Sequence, residues 1–220
     1  MESHEQSVPP RPKRIMWLFG ALVVVMVGFN IFYGFYVLNK GRKPDISISD
    51  GAVRKHVPTF SLTDQRGQTL GSEDLEGKVW VAAFIFTRCP GPCPLISQNM
   101  KALFETFRAE KDFRLVSFSL DPEHDTPEVL TVYAGMHGAD PEQWHFLTGS
   151  REVIHTLSVE GFYSAVVKTE PDQVAQLGPV IHGTRLAIVD RDGQWVAAFD
   201  ATTPEGIARA EQKIRELLKD

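Results

Sequence analysis

Cysteine is scarce in this chain. There are two in 220 residues, Cys89 and Cys93, too few to staple a fold with a disulfide framework. Strong charge is also missing: the formal net charge is -5, and no stretch is both basic and aromatic, which argues against a nucleic-acid partner. No internal repeat and no low-complexity segment is present, so neither a solenoid nor a compositionally biased tract accounts for the length. What remains is enough chain for one domain with a core of its own, plus extensions. With so few cysteines so close together, a redox pair or part of a metal site is the leading reading, and a single local structural disulfide is the plain alternative.

One long stretch lacks charge altogether. Residues 1–14 carry Pro9, Pro10 and Pro12 among polar residues and read as a disordered tail. From Ile15 to Asn39 no side chain is charged. A helix over those residues, at about 1.5 Å each, reaches roughly 37 Å and exceeds a bilayer core of about 30 Å. The expectation is an uncleaved transmembrane anchor, since the run is too long for a signal peptide and lacks an A-x-A-like site. Trp17 near one end and Tyr33 and Tyr36 near the other suit the two interfaces. Arg11, Lys13 and Arg14 on one side balance Lys40, Arg42 and Lys43 on the other. The short tail before a globular domain favours a cytoplasmic N-terminus and an external domain: a single-pass protein of the bacterial inner membrane facing the periplasm. Residues 40–56 read as a linker, and 57–220 as the domain.

Both cysteines lie in Phe86–Pro94, FTRCPGPCP. Cys89, Gly91 and Cys93 each precede a proline, which keeps them out of the α region and predicts a stiff loop rather than a helix. Before it, Val79 to Phe86 is a continuous apolar run that predicts a strand buried on both faces. After it, Ile96, Met100, Leu103, Phe104 and Phe107 recur at helical spacing, with Pro94 suited to the first position and Cys93 to the N-cap. There the helix dipole and Arg88 would both favour a thiolate.

The remainder reads as alternating elements. Pro58 to Thr63 and Gln68 to Leu70 make a hairpin around Asp64–Gly67, and Phe113 to Leu120 is a strand. Thr126 caps a second helix with Pro127 at N1 and Glu128 in its first turn, stopping near Gly135 or Gly138. Trp144 to Thr148 is a short strand, and Ser150 caps a third helix. Phe162 to Lys168 has strand character, while Thr169 to Pro179 reads as irregular. Thr184–Val189 and Gln194–Phe199 form a hairpin with an Asp-Gly turn, and Thr203 and Pro204 open the last helix. The order predicts an α/β domain of thioredoxin-like type: a mixed central sheet flanked by helices, with an N-terminal hairpin extension and one N-terminal transmembrane helix.

Thioredoxin-like oxidoreductases use C-x-x-C, whereas this chain has C-x-x-x-C. The extra residue lengthens the loop so that both thiolates can face one ion, and soft thiolates suit Cu(I) and Zn. Two sulfurs do not complete a site, and histidine is the usual further ligand. Of the seven histidines, His4 lies in the tail, His56 near the linker, His124 in the Asp-Pro loop, His137 and His155 in helices and His145 in a strand. His182 falls in a loop before the C-terminal hairpin, which a thioredoxin-like fold brings beside the cysteines. A thiol peroxidase reading rests only on the fold and on Thr87 and Pro90 near Cys89, and a peroxidatic cysteine needs no second cysteine three residues on.

FTRCPGPCP, SLDPEHDTP (Ser119 to Pro127), WHFLTG (Trp144 to Gly149) and His182 ahead of TRLAIVDRDG together resemble the SCO/SenC family, membrane-anchored copper proteins that assist cytochrome c oxidase assembly. The resemblance spans nearly the whole domain. It implies one copper ion, Cu(I) or Cu(II), bound through Cys89, Cys93 and His182. It also implies an upstream copper donor, and as acceptor oxidase subunit II at its CuA centre or another copper-accepting protein. Asp121 and Asp125 match the family's acidic loop, with Asp121 as a supporting residue behind the ligands and loop closure as the simpler role for both. Pro92, and Ile181 in place of an acidic residue before the histidine, depart from the family pattern. An open, solvent-facing site would favour metal hand-over. The alternative is a thiol-disulfide oxidoreductase that keeps the acceptor's cysteines reduced through Cys89 and Cys93, with His182 dispensable.

Overall fold

The structure, a computed structural model, describes residues 26–30, 32–33, 46–47, 55–162, 166–168 and 180–219, with the side chains of 46–47, 166–168 and 180–182 outside that description. The chain divides into two units, Met1–Pro44 and Asp45–Asp220. In the first, residues 26–30 and 32–33 are helical and exposed. Among the described residues no helix is long and apolar enough to cross a membrane, and most of Ile15–Asn39 lies outside them.

The second unit is built on a mixed sheet. Its strands are β1 (Ile46–Ser47), β2 (Lys55–His56), β3 (Ser61–Asp64), β4 (Thr69–Gly71), β5 (Val79–Ile85), β6 (Phe113–Ser119), β7 (Trp144–Thr148), β10 (Arg185–Val189) and β11 (Gln194–Asp200). Their order is β1-β11-β10-β5-β6-β7-β3-β4, with β2 also paired to β11. The three central strands β5, β6 and β7 run parallel; β10 and β3 flank them antiparallel, and β11 pairs antiparallel with β10. A separate pair joins β8 (Val166–Lys168) to β9 (Val180–His182). Helices α1 (Cys93–Thr106), α2 (Pro127–His137), α3 (Arg151–Thr156) and α4 (Pro204–Leu217) complete the α/β architecture.

Every residue of β5 is buried, as the unbroken apolar run predicts for a central parallel strand. The period-two alternation sorts the aromatic side chains by face. Trp80, Phe84 and Phe118 gather with Phe60, Phe162 and Trp195, ring centroids 5.2–6.4 Å apart. Trp144 and Phe146 pack on the other face against Phe104 of α1 and Tyr133 of α2. The buried stripe Ile96, Met100, Leu103 and Phe104 is the helical periodicity made physical.

Local signals set the remaining boundaries. The Thr126, Ser150 and Thr203 side chains each accept a hydrogen bond from the first turn of α2, α3 and α4. Gly138 ends α2 at φ 65°, a left-handed position that glycine adopts without a Cβ clash. Gly193, at φ 71°, closes the β10–β11 turn. Beyond the short β3–β7 pairing, the buried Gln65 side chain continues the ladder itself: its Nε2 donates to Trp144 O at 2.9 Å and its Oε1 accepts from Phe146 N at 2.9 Å.

Two expectations are corrected. Residues 46–47 and 55–56, read as linker, add strands to β11, because extended polar chain can satisfy an edge through backbone hydrogen bonds without apolar periodicity. His182, read as a loop residue, belongs to β9 and pairs with Val166; Val180 and Ile181 are β-branched and face Lys168 and Val167 across the ladder.

His145 is buried in β7 with Nδ1 lacking a hydrogen-bond partner. Burial, aided by Arg114, lowers its pKa from 6.5 to about 4. The unfolded chain therefore binds more protons between pH 6.5 and pH 4, and stability is lost as pH falls through that window. The expected loss approaches about 3 kcal/mol. Urea midpoints of wild type and His145→Phe measured from pH 7 to pH 4 should diverge, with the variant's acid limb flatter; parallel limbs would dismiss the assignment.

Candidate dithiol metal site

The site stands where β5 gives way to α1. Phe86 continues the buried strand, and Cys89 N donates to Phe86 O at 3.3 Å, turning the chain. Gly91 N donates to Cys89 Sγ at 3.4 Å. Helix α1 opens with Ile96 N donating to Pro92 O at 3.0 Å. Cys93 is therefore the first helical residue and Pro92 the N-cap, one position earlier than the sequence suggested. Pro94 has no amide hydrogen to satisfy and costs nothing in the first turn.

No disulfide joins the cysteines. Cys89 is 9% exposed and Cys93 0%, so both cysteines are buried, although Pro90, Gly91 and Pro94 beside them are exposed. Cys93 shares a side-chain hydrogen bond with Cys89. That bond, then burial, pushes the Cys93 thiol far above its ordinary pKa, while a backbone hydrogen bond from Phe86 acts the other way. Contact with Cys89 and burial thus oppose the thiolate expected at Cys93 from the helix dipole and Arg88, and Arg88 turns to Asp121, its Nε 2.7 Å from Oδ2. Two sulfurs in contact within one buried volume disfavour two bare thiolates, and a soft cation between them would relieve their repulsion.

Around the sulfurs lies a polar layer that sequence reasoning left mostly unread. The parallel register sets Ile85 beside Ser119, so the cysteine loop and the Asp121–Thr126 loop leave the sheet side by side. Asp121 is buried, accepts from Arg88, and its own amide donates to Ser119 Oγ at 3.1 Å. Asp125 is 0% exposed and accepts from Thr87 and Ser119. Ser97, one turn after Cys93, lies 2.9 Å from the Tyr133 hydroxyl. Burial raises the pKa of that phenol, the neighbouring cysteines add to the rise, and the Ser97 hydrogen bond opposes it. The partners of Asp125 stand up to 38 residues away, and no local pattern announces them. His182 contributes backbone to β9, but its side chain lies outside the described residues.

A buried dithiol at the carboxyl end of a central parallel strand, on a mixed sheet of thioredoxin-like order, defines a redox or soft-metal-handling protein. A family profile described as SCO1/SenC matches residues 50–219, and the chain belongs to that family. It is 36% identical over 140 residues to the "SCO1 protein homolog" of Bacillus subtilis (strain 168), covering 63% of this chain and 70% of that protein. It is 33% identical over 139 residues to a "Putative copper-binding protein" of Stutzerimonas stutzeri, covering 62% and 65%. The solved structure of BsSco, described as a member of the Sco family of cytochrome c oxidase assembly proteins with a disulfide switch, aligns with TM-score 0.65. The two are 31% identical, and the alignment covers 78% of this chain and 98% of that one.

The small difference in exposure has a consequence for reactivity. Under limiting iodoacetamide, peptide mass spectrometry of the reduced protein should find Cys89 modified before Cys93. Prior treatment with a mild oxidant should protect both through an intramolecular disulfide. Faster labelling of Cys93 would contradict the burial described above.

Proposed function

We propose that the protein is a copper-handling assembly factor that binds one copper ion through Cys89, Cys93 and His182 and passes it to cytochrome c oxidase subunit II, at the CuA centre, or to another copper-accepting protein. The observation that carries this reading is the hydrogen-bonded pair of buried thiols at the head of α1 in a chain of the SCO1/SenC family. Two thiolates and a neutral imidazole make a soft set suited to Cu(I), and an oxygen ligand added to the same three would suit Cu(II). Binding displaces the protons on both thiols, so affinity rises with pH. On this reading residues 15–39 anchor the chain in the bacterial inner membrane, residues 57–220 face the periplasm, and a separate donor supplies the metal.

The same two sulfurs support a second reading as a thiol-disulfide reductase, favoured by their mutual contact. Cys89 and Cys93 would give up two electrons and two protons to a partner's disulfide, leaving their own disulfide and two partner thiols. Oxidation removes the copper ligands, so metal loading and redox state are linked.

Copper titration of the reduced full chain should reach one equivalent, lost in Cys89→Ala and in Cys93→Ala and strongly weakened in His182→Ala. Unchanged stoichiometry and affinity in His182→Ala, with dithiol exchange retained, would give the reductase reading precedence.

A further inference from the structure

The carboxylate of Asp125 sits at the centre of the polar layer and touches neither sulfur in any described hydrogen bond. Thr87 N donates to its Oδ2 at 3.1 Å and Thr87 Oγ1 to its Oδ1 at 2.6 Å. Ser119 Oγ donates to Oδ2 at 2.5 Å, and His124 Nδ1 lies 3.0 Å from Oδ1. Asp125 N in turn donates to Asp121 O at 2.8 Å. One fully buried side chain therefore ties together the end of β6, the acidic loop and the cysteine loop two residues before Cys89.

The ligand atoms of Asp121, His124 and Asp125 lie within 4.8 Å of one another, which invites comparison with a cation site. The hydrogen bonds argue otherwise. Both Asp125 oxygens are engaged by donors, Asp121 is held by Arg88, and no further observation points to an ion there. The cluster is a tether.

We propose that Asp125 is a positioning residue for the metal-binding loop: through the Thr87 amide and hydroxyl it holds the segment leading to Cys89 in the conformation that keeps the two sulfurs together. Both arms hold the loop. The hydroxyl donates to one carboxylate oxygen and the Thr87 N–H, whose direction the backbone fixes, donates to the other. The tether acts on the apoprotein as well as the loaded one, because it pre-organises two thiols whatever then joins them.

The proposal rests on the assignment of Cys89 and Cys93 as copper ligands, but its test separates the two. The full chain and the variants Asp125→Asn, Thr87→Val and Thr87→Ser are compared by Cu(I) competition against a chromophoric chelator. Without metal, the Cys89–Cys93 disulfide is equilibrated with glutathione. Asp125→Asn should weaken Cu(I) binding on the order of 10- to 100-fold, the range for residues that orient metal ligands. It should also make the disulfide harder to form by a similar factor, since a loosened loop must be ordered to close it. Thr87→Val, which removes only the hydroxyl arm, should do less of both, and Thr87→Ser should restore wild-type values. If Asp125→Asn does not fold, the Thr87 pair decides. Wild-type values in folded Asp125→Asn or in Thr87→Val overturn the proposal, as does a Thr87→Ser variant as impaired as Thr87→Val. If the wild-type chain binds no copper but the disulfide equilibrium shifts as expected, the positioning role stands and the copper reading falls.

Discussion

The parallel pairing of β5 with β6 is the constraint from which the site follows. The two strands run in register from Val79 opposite Phe113 to Ile85 opposite Ser119, so they end at the same level. The loops that leave them must therefore emerge as neighbours, at the carboxyl edge where open α/β sheets place their ligands. One loop carries the sulfurs, and the other carries Asp121 and Asp125. The contacts between those loops are a consequence of that shared edge: Thr87 and Arg88 come from one loop, and the carboxylates that receive them come from the other.

The edge also brings the two thiols into contact and draws Arg88 away from them. Arg88 is diverted to Asp121, and contact with Cys89 and burial penalise charge at Cys93. A helix start is a favourable place for one negative charge, but the dipole falls off within a turn and cannot offset desolvation and a second sulfur in contact. At Cys93 the apoprotein thus favours the thiol, whose proton leaves when something better arrives, whether a soft cation or an oxidising disulfide. Both proposed activities draw on this one property.

Much of this was legible in the chain because it is written locally. The apolar run of β5, the helical stripe after Pro94, the Thr126-Pro127 and Thr203-Pro204 starts and the Asp-Gly turn all appear where their side chains predict. What escaped is non-local or backbone-borne. Short strands β1 and β2 owe their existence to an available edge on β11 rather than to their own pattern. The strand at His182 depends on a partner sixteen positions away at Val166. Cys93 differs from expectation by one helical position, a displacement that no propensity resolves. Asp125 could be placed in the acidic loop, but its role required knowing that Thr87 and Ser119 would converge on it.

Gln65 carries a further implication. Strand β7 is longer than the stretch that β3 covers, and the uncovered backbone at Trp144 and Phe146 would otherwise present a vacant hydrogen-bonding row. By donating to one and accepting from the other, a single amide side chain imitates the missing strand and denies that row to any extended peptide. An open sheet edge recruits other chains through main-chain hydrogen bonds, without regard to sequence, and this stretch of β7 is closed to them.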